Sequence, residues 1–309
     1  MARWGLPYQG SKNGIADWVV DNLPPSDCLV DLFAGGCAVT HCAMVRGKWK
    51  CFVANDITPY PQIFKDAMDG KFRDAEDVIV DREAFFASDD PVVRLLNSFG
   101  NKGKDYLWSH DLEAVKYPAS RMLIAKDEKT RRLYYKQFMH ALYEYIEANG
   151  KSVEDTQLES LERLGSLERL ESLERLQSLE SLERLQSLES QKQNMQYLTI
   201  SNMDYRDVEL PQNATIYCDP PYRGTAGYHG DTFDFDAFDA WLEDVDRLVI
   251  VSEYTAPKNC VCVAKREKAA LMGGSRGGGD KVMEGLFVHE KHVAEYEELA
   301  QEGKTASMF

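Results

Sequence analysis

No apolar run in the 309-residue chain approaches the roughly 18 residues that a membrane-crossing helix needs. The stretch from Met1 to Pro25 also lacks the basic start, apolar centre and small-residue end of a secretory signal. A soluble, cytoplasmic protein with no membrane partner is the expectation. No CxxC pair occurs among the seven cysteines, at 28, 37, 42, 51, 218, 260 and 262, and most lie in apolar segments where a thiol acts as a small core residue. That pattern predicts reduced thiols, with neither disulfides nor zinc. Positive charge is in deficit too: 36 Lys and Arg against 51 Asp and Glu leave a formal net charge of -15. Taken as a sum, this lacks the basic footprint of a phosphate-binding protein.

The distribution says more than the sum. Between Arg94 and Lys136 ten Lys and Arg stand against five Asp and Glu, a local excess of about +5 inside an acidic chain. A solvated helical surface and a nucleic-acid contact both produce such a segment.

A chain of this length with 44% hydrophobic residues can bury one large core and carry a smaller inserted domain. Apolar, β-branched clusters bounded by turn residues predict buried strands at 28–34, 51–56, 214–219 and 247–254. Between them, "SKNGIADWVVDNLP" predicts a helix ending before Pro24, and "DFDAFDAWLEDV" predicts another before the last strand. Strands alternating with helices imply an open, largely parallel α/β sheet. The alternation breaks between Ile57 and about Gln196. Within that gap Leu133, Phe138, Leu142, Tyr145 and Ile146 make a helical stripe that Gly150 stops. The gap reads as an inserted domain followed by a separate leucine-rich insertion. Near the end, "MGGSRGGGDK" (272–281) reads as a flexible loop or one that closes over a ligand, and "KVMEGLFVHEK" as a final hairpin or edge strand.

The sharpest chemical signal is "DPPY", residues 219 to 222, directly after the apolar strand "ATIYC". It therefore falls at a strand's carboxyl end, where open α/β sheets place their sites. Two prolines also simply end strands. Yet Asp219 offers an acceptor, Pro220 and Pro221 hold a rigid carbonyl beside it, and Tyr222 offers a flat face; together they suit a planar base carrying an exocyclic amine. "DLFAGG" (31–36) begins a glycine turn after the first predicted strand, which lets backbone approach a ligand and aims a helix N-terminus at it. Asp56, 25 residues after Asp31, ends the second predicted strand, where an acidic side chain either binds a ribose diol or caps a turn.

In order, "PYQGSK", "DLFAGG", "NDI", "SNMDY" and "DPPY" resemble the motifs of Dam-type (D12 class) DNA adenine N6-methyltransferases, phage-encoded members included. The resemblance covers residues 6 to 57 and about 197 to 255 well and the middle loosely. It implies a Rossmann-like S-adenosylmethionine-dependent methyltransferase sheet, with residues 1–57 and 196–309 as the catalytic domain and 58–150 as a target-recognition insertion. It implies further that Tyr8, Gly10 and Lys12 line the methionine end of S-adenosylmethionine, with Lys12 near its carboxylate. Asp31, Phe33, Gly35 and Gly36 would form the turn around the cofactor, Asp56 would take its ribose hydroxyls, and Asp204 would approach its adenine amino group. Asp219, Pro220, Pro221 and Tyr222 would hold the target adenine. Two departures stand out: Ser11 replaces a second glycine in the first motif, and Cys37 stands where an FxGxG pattern ends in glycine. Both are small, which predicts altered contacts and retained binding. The implied reaction is direct methyl transfer to a flipped adenine in double-stranded DNA, without metal, through alignment and preorganised acceptors. Lys102, Lys104, Arg121, Lys126, Arg131 and Arg132 are the candidate DNA-backbone contacts.

From Leu158 to Leu188 leucine recurs at every third position, within a segment taken as 151–195. On an α-helix such leucines drift by about 60° per step, whereas a 3₁₀-helix, with about three residues per turn, aligns them. A long 3₁₀-helix that self-associates through 158–190 into a homo-oligomer is the expectation. The alternatives are a disordered low-complexity linker and a frayed α-helix. For function the alternatives are the same fold acting on cytosine N4, RNA adenine or a protein amide, and an assembly module with a decayed catalytic domain, against which intact "DPPY" and Asp56 speak.

Overall fold

Strands rich in valine, isoleucine and leucine can be buried on both faces, and that is how they are used here. The computed structural model describes residues 4–7, 10–148, 177–191, 194–223, 233–269 and 281–306. The chain divides into two compact units, one of Met1–Leu6, Gly10–Lys65 and Gln191–Phe309, the other of Pro7–Gln9 and Asp66–Ser190.

In the first unit a 3₁₀ turn (Lys12–Gly14) leads into α1 (Ala16–Asn22), followed by β1 (Cys28–Asp31), α2 (Ala38–Arg46), β2 (Cys51–Asn55) and α3 (Tyr60–Met68), whose residues from Asp66 onward belong to the second unit. The second unit carries α4 (Arg82–Ala87), α5 (Pro91–Leu96), α6 (His110–Ile124), α7 (Glu128–Ala148) and α8 (Gln177–Leu188). The first unit then resumes with β3 (Leu198–Ser201), β4 (Ala214–Cys218), α9 (Phe235–Asp244), β5 (Val249–Glu253), β6 (Cys260–Ala269), β7 (Lys281–His289) and α10 (Val293–Ala306). Its seven strands form one sheet in the order β3-β2-β1-β4-β5-β7-β6. The strands β3, β2, β1, β4 and β5 are parallel, and β7 and β6 add an antiparallel hairpin. Val30, Ile216, Cys218, Val249 and Val251 pack on one side against Phe238 and Leu242 of α9. Asp234 caps that helix by accepting from Ala237 N at 2.9 Å.

The four strands expected from apolar runs correspond to β1, β2, β4 and β5. The last hairpin is present, with β7 inside the sheet and β6 at its edge. Most of the glycine-rich segment, residues 270–280, lies outside the described residues. So do Gly150 and residues 158–176 of the repeat. No helix among the described residues is long and apolar enough to cross a membrane.

Three expectations are corrected. Cys28 and Cys51 are register partners on β1 and β2, with Cα atoms 4.6 Å apart, and are joined as a disulfide where none was expected. Cys37, Cys42, Cys218, Cys260 and Cys262 are free. On α7 the buried seam is Phe138, Leu142 and Ile146, spaced four apart, while Leu133 and Tyr145 are exposed. The described end of the leucine repeat is the α-helix α8, and only Glu189–Gln191 after it form a 3₁₀ turn.

Period three is tolerated in α8 because the segment is short. Leu179, Leu182, Leu185 and Leu188 sweep about 180° of the helix surface, and a helix seated in its own unit can cover such an arc. Leu182, Leu185 and Leu188 are buried, and Leu179 packs beside Phe85, Tyr106 and Trp108. Polar groups fix the seat: Asn101 Nδ2 donates to Ser181 Oγ at 3.1 Å, and Gln186 Nε2 to the Phe72 carbonyl at 3.1 Å. These leucines are core, and they present no stripe to a second copy.

Leu185→Ala therefore removes a fully buried side chain. Urea unfolding of the variant is expected to show a loss of about 2–5 kcal/mol in the second unit; an unchanged midpoint would return Leu185 to the surface.

Candidate active site

Chain order reverses across the sheet at β1, which has β2 on one side and β4 on the other, and the crevice beyond the carboxyl ends of these strands is where such sheets place ligands. Parallel strands bring their ends to one edge. Asp31 ends β1, Asp56 follows β2, Asp219 follows β4 and Glu253 ends β5. The register fixes their levels: Asp31 pairs with Tyr217, and Leu32 N donates to the Tyr217 carbonyl at 2.9 Å.

The turn after β1 is held from β2. Ala34 N donates to the Asn55 carbonyl at 2.8 Å and Gly35 N to Asp56 Oδ2 at 2.7 Å. The other Asp56 oxygen accepts from Thr58 N and Thr58 Oγ1, at 2.8 and 2.7 Å. Asn55 joins three strand ends: its Nδ2 donates to the carbonyls of Leu32 and Met203, and its Oδ1 accepts from Met203 N. Cys37, at φ 58° and ψ 32°, starts α2 in the left-handed conformation. This gives the glycine of the resembling pattern a physical meaning, because a side chain there costs roughly 1–2 kcal/mol. Gly36 accepts from Leu6 N at 2.7 Å, and Gly5 N donates to His41 Nδ1 at 3.1 Å, which ties the N-terminal strap to the turn. Phe33 lies 5.2 Å from the Tyr205 ring and packs edge-on to Phe238.

Asp31 is buried. Its Oδ2 accepts from Thr40 Oγ1 at 2.8 Å, while Oδ1 has no hydrogen-bond partner among the described residues. Burial is the main cause that raises its carboxyl to about 7, against the lowering effect of Thr40. Asp204, after β3, accepts from Arg206 Nε and Nη2 at 2.8 Å each, and that pairing lowers its pKa.

At the end of β4, Lys12 meets "DPPY". Its ammonium is 2.6 Å from Asp219 Oδ1, 3.7 Å from Glu284 Oε1 and 4.5 Å from the centre of the Tyr222 ring. Lys12 is 5% exposed and Glu284 0%, so this charge cluster is shielded from water. Tyr222 Oη donates to Glu284, which also accepts from Ser252 Oγ at 2.7 Å. Burial, reinforced by Asp219 and Glu284, holds the Tyr222 hydroxyl well above its ordinary pKa, so it remains a donor. Tyr254 packs edge-on to Tyr222 at 4.4 Å. Glu253 accepts from Arg223 N at 3.1 Å and Tyr254 N at 2.8 Å, and the Arg223 guanidinium pairs with Asp239. Pro220 is buried and Pro221 half-buried, with no cis peptide bond among the described residues.

The first unit thus brings Lys12, Asp31, Phe33, Gly35, Gly36, Asp56, Asp204, Asp219, Pro220, Pro221 and Tyr222 to the carboxyl edge of one sheet or to the turns beside it. Gly10, at φ 83°, precedes Ser11, whose Oγ accepts from Asn13 N at the start of the Lys12 turn. Tyr8 lies outside the described residues. The resemblance implies Lys12 near a cofactor carboxylate; in the structure its ammonium meets Asp219 and Glu284. Asn55, Ser252, Glu253 and Glu284 belong to the same edge, though the sequence motifs do not single them out. "NDI" and "SEY" mark three of these as polar residues at strand ends, but nothing near Glu284 marks a site. No group of residues able to hold a metal occurs among the described residues.

The basic candidates lie in the second unit and differ from one another. Arg121 is committed to its own unit: its guanidinium donates to the carbonyls of Glu76 and Ile79 and faces the Tyr134 ring, which removes it from the phosphate contacts. Lys126 pairs with Asp74, and Arg131 and Arg132 with Glu128, all on the surface. Lys102 and Lys104 make no ion pair among the described residues.

The sequence matches the family described as D12 class N6 adenine-specific DNA methyltransferase over residues 8–89 and 177–247. No curated protein matches it.

Asp31 generates a pH prediction. Its folded pKa of about 7 exceeds the unfolded value of 3.8, so between them the folded chain keeps a proton that the unfolded chain has lost. Stability from this group is complete below the unfolded value and is lost as pH rises through the folded one. Urea unfolding of Asp31→Asn and the wild type should therefore diverge between pH 4 and 7, the wild type falling relative to the variant; parallel curves would contradict the raised pKa.

Proposed function

Since the chain belongs to the D12 class N6 adenine-specific DNA methyltransferases, we propose that it transfers a methyl group from S-adenosylmethionine to N6 of an adenine flipped out of double-stranded DNA. The observation that carries this reading is the position of Asp219 and the Tyr222 ring at the end of β4, on the sheet edge that also holds the glycine turn and Asp56.

Asp219 and the Pro220 carbonyl accept hydrogen bonds from the target amine, which turns its lone pair toward the methyl group. Tyr222 stacks on the flipped ring, and Pro221 keeps the segment extended. Asp31 fits the donor because it keeps a buried oxygen without a hydrogen-bond partner beside the glycine turn, an acceptor suited to the ammonium of the methionine part. Gly10, Gly35 and Gly36 let backbone approach, Phe33 covers an apolar face, Asp56 binds the ribose hydroxyls, and Asp204 and Tyr8 complete the donor's contacts. The bound donor supplies an electrophilic methyl group on sulfur; the chain supplies alignment and acceptors.

The insertion between β2 and β3 carries target recognition, with Lys102, Lys104, Lys126, Arg131 and Arg132 toward the DNA backbone. DNA as substrate supports action in the cytoplasm. Self-association through the repeat falls to residues 158–176, because the later leucines are covered.

Incubation with labelled S-adenosylmethionine and DNA, RNA or protein tests the substrate class; label on anything but DNA adenine would overturn the reading. Asp219→Ala is expected to lower the methylation rate by on the order of 10²-fold while calorimetry shows donor affinity retained. Asp56→Ala should do the reverse, weakening donor binding by about tenfold or more. Equal loss of affinity in both variants would show that the roles are misassigned. Reversing charge at Lys102 and Lys104 should weaken binding to all DNA sequences alike and flatten its salt dependence by about two counterions; unchanged affinity would make them a solvated surface.

A further inference from the structure

Glu284 is the one fully buried carboxylate in the Lys12 cluster, and it comes from β7, an antiparallel strand that contributes to none of the sequence motifs. Burying a carboxylate is costly unless its oxygens are matched. Here one oxygen, Oε1, is matched: it accepts from Tyr222 Oη and from Ser252 Oγ and lies 3.7 Å from the Lys12 ammonium. Ser252 is on β5, register-paired with Leu286 of β7, so the bond between Ser252 and Glu284 crosses from one strand to the next. The phenol is held at its far end by Glu284, at its edge by Tyr254 and over one face by Lys12. A tyrosine ring has two rotatable bonds, and a charge-assisted bond at its tip removes most of that freedom.

We propose that Glu284 is a positioning residue for the methyl transfer: its carboxylate fixes the plane of the Tyr222 ring and shares the Lys12 ammonium with Asp219, so that the stacking surface and the amine acceptor are set in one geometry. The proposal rests on the reading of Asp219 and Tyr222 as the adenine site. Glu284 touches neither substrate nor donor; it acts through Tyr222 and Lys12. Its acceptor oxygen matters for the ring, which sets Glu284→Gln apart from Glu284→Leu: the amide keeps a carbonyl acceptor of the same reach, and the leucine keeps only volume.

The full chain is assayed for methylation of double-stranded DNA, with donor affinity measured by calorimetry. Glu284→Leu should lower kcat/KM for DNA by about tenfold with donor affinity unchanged, and Glu284→Gln should recover most of that loss. In a Tyr222→Phe background, which lacks the hydroxyl, Glu284→Leu should add little, because contacting residues are non-additive. Full activity of Glu284→Leu, equal losses in the leucine and glutamine variants, or additive losses in the double variant would each overturn the proposal. A second measurement does not depend on turnover: with tyrosine labelled by ¹³C at Cζ, the resonance that Tyr222→Phe removes should shift in Glu284→Gln. A resonance that stays in place would overturn the proposal even if DNA is not the substrate. A wild-type chain that shows the shift but methylates no DNA would instead sink the adenine reading while leaving the Tyr222–Glu284 pair intact.

Discussion

A strand covered on both faces leaves polar chemistry nowhere to go except its ends. All four residues of β1 and all five of β5 are buried, and β4 is apolar nearly throughout. Because the strands between β3 and β5 are parallel, their acidic ends share an edge. Asp31, Asp56, Asp219 and Glu253 are brought together by the direction of the chain, although they are far apart in sequence. The core and the site therefore have one cause.

Gathering carboxylates on an edge raises an electrostatic problem that the fold answers locally. Asp56 and Glu253 spend their oxygens on backbone N–H groups, Asp204 on Arg206, and Asp219 on Lys12. Asp31 alone combines deep burial with a single hydroxyl donor, Thr40, for one oxygen. Lys12 stands between Asp219 and Glu284, so removing it leaves two carboxylates without their shared counter-charge. The antiparallel hairpin, which looks like an appendage to the parallel sheet, supplies one of those three.

How much of this was legible depended on whether the cause was local. Apolar runs marked β1, β2, β4 and β5, and "DPPY" marked the carboxyl end of β4, because strand burial and proline backbone act within a few residues. β3 is only Leu198–Ser201, with Thr199 exposed and two half-buried residues, too short and too polar to stand out. β6 ends in a charged run, from Lys265 to Lys268, that reads as surface. Glu284 looks like any glutamate until β7 pairs with β5. The Cys28–Cys51 bond depends on strand register, which 23 intervening residues conceal. Arg121 belonged to a basic segment by composition, but tertiary packing turned it toward carbonyls of its own unit. In the repeat, period three would scatter leucines around a long isolated helix, whereas α8 is short and buries Leu182, Leu185 and Leu188.

The seat of α8 has a consequence for heredity. Residues 170–181 and 179–190 are the same string, LESLERLQSLES, displaced by nine positions. Loss of any nine consecutive residues between 170 and 190 regenerates that string, and gain of such a block lengthens only what precedes it. Asn101 would still meet a serine, the Phe72 carbonyl a glutamine, and Arg73 a glutamate. Replication slippage can thus alter the length of this protein between generations without presenting its core with a single new side chain.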